Sequence, residues 1–272
     1  MIGHYAYNLA GYTTGSGAVP PGPGQITDGL ILDYDYNIWD GGSTVTDGGS
    51  LSNNATMVGT VSQGTDGSGG KYAQFTSNNN FFRAQMSAGS KLPMESGFTN
   101  EFTLETVVYL STDTKFHDRT GITLSAATNG SSPHGLNWNM WQYDTSVGGV
   151  YTGGIVPGFN SFYSVANAPV YSGNWYHAVY FYTNNPPTNN VQYLNGTSYS
   201  MNFTDRLNST NWNGNGTGYP SNLTNWYILA GGDPSRNPGA YVACHRIYNR
   251  ILTSGEVASQ YAYWQGVGYT GL

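Results

Sequence analysis

Two carboxylates four residues apart, in the run Glu101-Phe102-Thr103-Leu104-Glu105, are the first groups whose spacing suits catalysis. On a β-strand, side chains at i and i+4 share a face. A pair of carboxyl groups flanking one bond is the apparatus of glycoside hydrolysis. Between them stands Thr103, so no third carboxylate orients and tunes the pair. Asn100 reads as a turn beside Glu101. Both glutamates therefore read as solvent-facing polar positions on an amphipathic strand, and no enzyme activity is expected.

Other catalytic patterns fail sooner. No serine sits in G-x-S-x-G, no H-E-x-x-H occurs, and His4, His117, His134, His177 and His245 are scattered. The Gly64-Thr65-Asp66-Gly67-Ser68-Gly69-Gly70 segment lacks the closing Gly-Lys-Ser/Thr of a phosphate loop and reads as a surface turn. Asp40, Asp47 and Asp66 lie in Gly-rich loops, but no spacing joins them into the oxygen cage that calcium requires. No cofactor is expected, and a structural calcium is the one ion the sequence leaves open. Cys244 has no disulfide partner and reads as a small buried apolar residue.

Binding chemistry is better represented. From Leu136 to Tyr143 the chain alternates, with Leu136, Trp138 and Met140 on one face and Asn137, Asn139, Trp141 and Tyr143 on the other. Aromatic faces stack on the C–H patches of sugars, and amides both donate to and accept from hydroxyls. Together with Trp212 in the loop Asn211-Trp212-Asn213-Gly214, these positions form a candidate glycan surface. The alternative is that Trp141 and Tyr143 pack under a neighbouring loop or subunit and that Trp212 caps a core edge.

The elements that must position these residues are short strands. The chain has 272 residues, enough to bury a core without disulfides. Charged residues make up 9% of it, against roughly 25% in ordinary soluble domains, while Gly and Tyr are plentiful. Net charge is −6 and no basic stripe occurs, which speaks against nucleic-acid binding. No apolar run is long enough to insert into a membrane, and the N-terminus lacks the pattern of a secretory signal. Strands are expected at 30–34, 71–75, 102–110, 136–143, 175–182, 192–196, 227–230 and 241–248. One short C-terminal helix is expected from Ser254 to Trp264, capped by Thr253 with Glu256 three residues on. Residues 1–24 form an arm with Tyr5, Tyr7 and Tyr12 and a Gly/Pro linker, and residues 25–272 form one domain. Many strands and almost no helix predict an all-β fold, a two-sheet antiparallel sandwich.

Several segments, in order, resemble the concanavalin A-like, laminin-G-like jelly-roll superfamily. They are Gly29-Leu30-Ile31-Leu32-Asp33-Tyr34, the loop Asp47 to Gly59, Phe102-Thr103-Leu104-Glu105, Gly173-Asn174-Trp175-Tyr176-His177-Ala178, Tyr193-Leu194-Asn195-Gly196, and Arg246 to Thr253 with Glu256 and Tyr261. The resemblance implies a jelly roll in which the Trp175 row and the Arg246–Leu252 row seal the two layers. Trp175 is expected as a core anchor, His177 as a satisfied buried histidine, and Arg246 and Glu256 as ties from the last strand and helix to the sandwich. Glucanases of the superfamily carry Glu-x-Asp-x-Glu where Thr103 interrupts this chain, and relatives often carry acidic residues where Ala243 and Cys244 stand, so neither an active site nor a calcium site is carried over.

The functional expectation is a non-enzymatic viral structural or decoration protein, on a bacteriophage capsid or fibre, with a lectin-like head. Its partners would be other virion proteins, reached through the arm, and host surface glycans, with homo-oligomerisation open. The alternative is a secreted or cell-surface carbohydrate-binding module, and a glycoside hydrolase ranks below both.

Overall fold

The computed structural model describes residues 24–75, 80–87, 101–110, 120–125, 135–141, 150–157, 162–166, 168–169, 173–183, 191–205, 225–230 and 240–272. The arm tyrosines Tyr5, Tyr7 and Tyr12, together with Tyr143 and Trp212, lie outside the described residues.

In chain order the strands are β1 (Leu30–Asp35), β2 (Thr44–Val45), β3 (Ala55–Val58), β4 (Val61–Thr65), β5 (Lys71–Phe75), β6 (Phe81–Ser87), β7 (Glu101–Leu110), β8 (Thr120–Ser125) and β9 (Gly135–Trp141). They continue as β10 (Val150–Pro157), β11 (Phe162–Ala166), β12 (Ala168–Pro169), β13 (Asn174–Thr183), β14 (Val191–Leu194), β15 (Thr197–Asp205), β16 (Asn225–Ala230) and β17 (Ala240–Tyr248). One helix, α1 (Ser254–Val267), follows. The first sheet runs β11-β15-β14-β13-β7-β17-β5-β4, with β1 also paired to β17. The second runs β12-β10-β9-β8-β16-β6-β3-β2. Neighbouring strands are antiparallel throughout, so the fold is the expected β-sandwich.

Alternation decides which side chains meet between the sheets. From the first sheet Leu32, Tyr34, Phe75, Phe102, Leu104, Val108, Tyr176, Ala178, Tyr180, Val242 and Ile247 point inward; from the second come Val45, Ala55, Phe82 and Ala84. Tyr36, just beyond β1, packs edge-on against Trp39 and Phe75 and tilted against Phe82 at the centre. Buried aromatics of this size dominate core energetics.

Trp175 is buried as the expected core anchor, but not in the interior between the two sheets. It neighbours the inward-facing Tyr176, so the period of two sends it to the other face. There it joins Val107, Ala243, Cys244, Trp264 and Tyr269 in a separate cluster. Arg246 likewise flanks inward-facing Ile247 and reaches the side occupied by α1. The two rows do share an interior, but it lies between the first sheet and the helix, not between the sheets. The fold therefore has three layers: sheet, sheet and helix.

The helix outruns expectation by one turn, ending at Val267 with Gly268 as a left-handed cap at φ 97°. Thr253 and Glu256 form the expected capping box. Val257, Gln260 and Trp264, at spacings of three and four, form its buried stripe.

Candidate functional site

Glu105 is wholly buried, which overturns the solvent-facing reading. Its Oε1 accepts from Trp264 Nε1 at 2.9 Å and His177 Nε2 at 3.1 Å, and Arg246 lies 3.7 Å away. Its Oε2 accepts from the Tyr248 hydroxyl at 2.8 Å and Gln260 Nε2 at 3.3 Å. Burial alone would raise this carboxyl, but the Arg246 guanidinium and the His177 and Trp264 donors hold it down to about 2. Arg246 also meets Asp33 at 2.8 Å and Asp35 at 3.4 Å. Asp35, by contrast, is raised to about 7, chiefly by burial, against the opposing pull of Arg246. Glu101 is exposed at the strand start. The two glutamates thus occupy different worlds: one in solvent, one clamping a helix to a sheet. His177 is buried as expected, and Arg250 pairs with Glu256 at 2.6 Å beside the cap.

The loop aspartates are organising groups. Asp47 accepts from the backbone N–H groups of Asp33, Gly49 and Asn53. Gly49 lies so close to the Ile31 carbonyl that a Cβ would stand 2.4 Å from it. Asp66 accepts from Ser68 N, Thr270 N and Oγ1, and Trp175 Nε1, tying the C-terminal segment to the β4–β5 turn. Among the described residues no group of three His, Cys, Asp or Glu side chains is arranged to hold a metal ion.

Register locates the candidate glycan positions. Directly opposed residues of antiparallel strands share a face. Inward-facing Ala84 and Phe82 of β6 oppose Ile228 and Ala230 of β16, which oppose Leu124 and Ile122 of β8, which oppose Leu136 and Trp138 of β9. Asn137, Asn139 and Trp141 therefore alternate with these inward positions and take register positions on the outer face of the second sheet, where the Asn137 row runs through Thr123 and Leu229 to Arg83. Gln85 is exposed and Arg83 half-buried.

One aromatic group escaped sequence reasoning. Tyr72, Tyr241 and Tyr109, on adjacent strands of the first sheet's outer face, stack with centroids 4.7 and 5.3 Å apart. Trp175 lies 5.5 Å from both ends of the stack. All three tyrosines are half-buried. Tyr109 opposes both Tyr241 and Trp175, and β5, which carries Tyr72, pairs with β17 beside Tyr241.

No protein-family model and no curated protein matches the chain. Solved structures do match it. The Trypanosoma rangeli sialidase in complex with 2,3-difluoro-KDN is 17% identical with a TM-score of 0.53, over 88% of this chain and 33% of the sialidase. The chain thus spans about a third of the sialidase's length. Domain 4 of the GH43 extracellular arabinanase AbnA from Geobacillus stearothermophilus, in complex with arabinotriose, is 17% identical with a TM-score of 0.52, over 84% of this chain and 96% of that domain. The receptor binding domain of botulinum neurotoxin C/D mosaic serotype is 10% identical with a TM-score of 0.51, over 88% of this chain and 52% of that one. At these identities the likeness is one of fold, a β-sandwich found in carbohydrate-active and lectin-like proteins.

Proposed function

We propose that the chain is a non-catalytic carbohydrate-binding sandwich that presents Asn137, Asn139 and Trp141 to glycans. The carrying observation is the β9 register, which gathers two amides and an indole-bearing residue on the outer face of one sheet. The buried, fully hydrogen-bonded state of Glu105 supports a non-catalytic reading, because a carboxyl sealed under α1 has no path to a sugar bond. A likeness of fold to an arabinanase domain holding arabinotriose adds weight by analogy only.

Titration calorimetry against a panel of oligosaccharides tests this. Binding by the intact protein, weakened at least about tenfold (~1.4 kcal/mol) in Trp141→Ala, is expected. Absence of binding across the panel, or turnover of any glycan, defeats the proposal.

Membership of the concanavalin A-like superfamily and display on a virion are narrower proposals resting on the sequence motifs, the arm and the composition. Purification at fixed stoichiometry with virus particles, lost on deletion of residues 1–24, supports the virion setting. Glycan binding with no particle association leaves the free module.

A further inference from the structure

Strand register gathers three carboxyl groups around one cation beneath α1. Arg246 of β17 stands directly opposite Asp33 of β1 on one side and Glu105 of β7 on the other. Asp35, two residues beyond Asp33 on β1, shares its face and opposes Cys244. All four charged residues are buried. The guanidinium reaches Asp33 at 2.8 Å, Asp35 at 3.4 Å and Glu105 at 3.7 Å, and its Nη1 has no hydrogen-bond partner. Arg246 offsets one carboxylate, so full ionisation leaves two buried negative charges, and uncompensated charge in an interior is costly. Hydrogen bonds decide which carboxyl yields. Glu105 accepts from four donors. Asp33 accepts from Arg246 Nε on one oxygen and Gln25 Nε2 on the other. Asp35 has only the Asn37 N–H and the long contact to Arg246 among the described residues. Its charged form is the least supported of the three.

The cover over this cluster is the helix: Trp264 and Tyr263 lie 4.8 and 5.9 Å from the Arg246 guanidinium. We infer that Asp35 is a proton-operated latch for α1: while its carboxyl carries the proton, the helix and residues 268–272 stay docked on the first sheet, and loss of that proton to solvent loosens them. The groups facing Asp35 are Asp33 on its own strand, Cys244 and Arg246 on β17, Glu105 on β7, Tyr263 on α1 and Tyr269 just after it. Burial pushes Cys244 and Tyr269 well up and Tyr263 to about 12. Burial would lower Arg246, but Asp33 and Glu105 carry it higher still. With Glu105 already down at about 2, these five groups keep their charge through neutrality. Asp35, raised to about 7, does not. His177 joins the cluster through Glu105. Undocking admits water to Asp35 and returns it toward its ordinary 3.8. The docked form therefore holds the proton more tightly, and docking weakens as pH rises from about 4 to about 7, then levels off.

The test is amide hydrogen exchange on the full chain at pH 5.5 and pH 8, corrected for the intrinsic pH dependence of exchange. The α1 amides are expected to exchange as a group, less protected than those of β7 and β17. Their protection should fall about ten- to thirtyfold between the two conditions, following a limit of about tenfold per pH unit up to 7. Asp35→Asn, which keeps the shape and cannot ionise, should show the same α1 protection at both. In the parent, the carboxyl-carbon resonance of Asp35 should titrate near neutrality; this reading decides the matter if Asp35→Asn does not fold. Unchanged α1 protection in the parent overturns the latch. So does α1 protection equal to that of β7 and β17, which makes the opening global. A fall that persists in Asp35→Asn assigns the step to another group, His177 first, and overturns it too. So does an Asp35 resonance that does not titrate between pH 6 and 8.

Discussion

Replacing Glu105 with glutamine changes one atom of the helix clamp and removes its charge. The carboxylate accepts from four donors, Trp264 Nε1 and His177 Nε2 on one oxygen and Tyr248 O–H and Gln260 Nε2 on the other, and the Arg246 guanidinium stands 3.7 Å away as an ion pair. Glutamine keeps one acceptor and turns an N–H₂ group toward groups that themselves donate, leaving the Arg246 charge less compensated. Breaking a buried ion pair from one side costs about 3–5 kcal/mol. An independent route agrees. Holding the carboxyl at about 2 against its ordinary 4.5 amounts to about 3 kcal/mol at neutral pH, on the order of 1.4 kcal/mol per unit. A melting temperature lower by roughly 10 °C follows. Because the folded-state value is depressed, this stabilisation is complete above pH 4.5 and disappears as pH falls toward 2. Urea titrations of parent and Glu105→Gln at pH 7 and pH 3 should show the gap narrowing in acid. A difference below about 1 kcal/mol at pH 7, or one that ignores pH, refutes the clamp.

Burial pushes the His245 imidazole down to about 3. A depressed histidine gives stability that is complete above its ordinary 6.5 and is lost as pH falls below that, at up to about 1.4 kcal/mol per pH unit; His245→Gln should flatten urea midpoints between pH 6.5 and 4. Asp35, raised to about 7 chiefly by burial, acts with opposite sign, so the Asp35→Asn variant should gain on the parent as pH rises from 4 to 7 in the same titrations. Thr253→Ala removes the N-cap and should cost about 1 kcal/mol, with faster amide exchange confined to the first turn of α1. Asp66→Ala strips partners from Trp175 Nε1 and from Thr270; a loss of about 1–3 kcal/mol and early proteolysis after Gly268 are expected. Gly49→Ala forces a Cβ against the Ile31 carbonyl and should fail to yield folded protein, judged by the near-ultraviolet circular dichroism.

Much of the sandwich was legible because its signals are local. The alternation Phe102, Leu104, Thr106, Val108 marks a strand and its inward face, and Thr253 with Glu256 marks a helix start from four residues. The Trp175 and Glu105 faces were harder. β13 is aromatic on both sides, so period two separates Trp175 from Tyr176 without saying which faces the other sheet. Glu105 looks like a solvent position until partners from β1, β13, β17 and α1 converge on it, and Trp264 lies 159 residues away. The grouping of Asn137, Asn139 and Trp141 on one face is a two-residue repeat any reader of the sequence can find. Their outward placement needs the register, which links β9 through β8 and β16 to inward-facing Ala84 and Phe82 of β6.

The pairing of β1 with β17 has a kinetic corollary. Asp33 and Arg246 are 213 residues apart, and the first sheet lacks its central strand until both ends of that interval exist. On the ribosome, the early hairpins must wait with apolar edges bare until residue 248 has emerged. Such high contact order slows folding and lengthens exposure to aggregation. Refolding on the scale of seconds, with a yield that falls as protein concentration rises, is the behaviour that this wiring imposes.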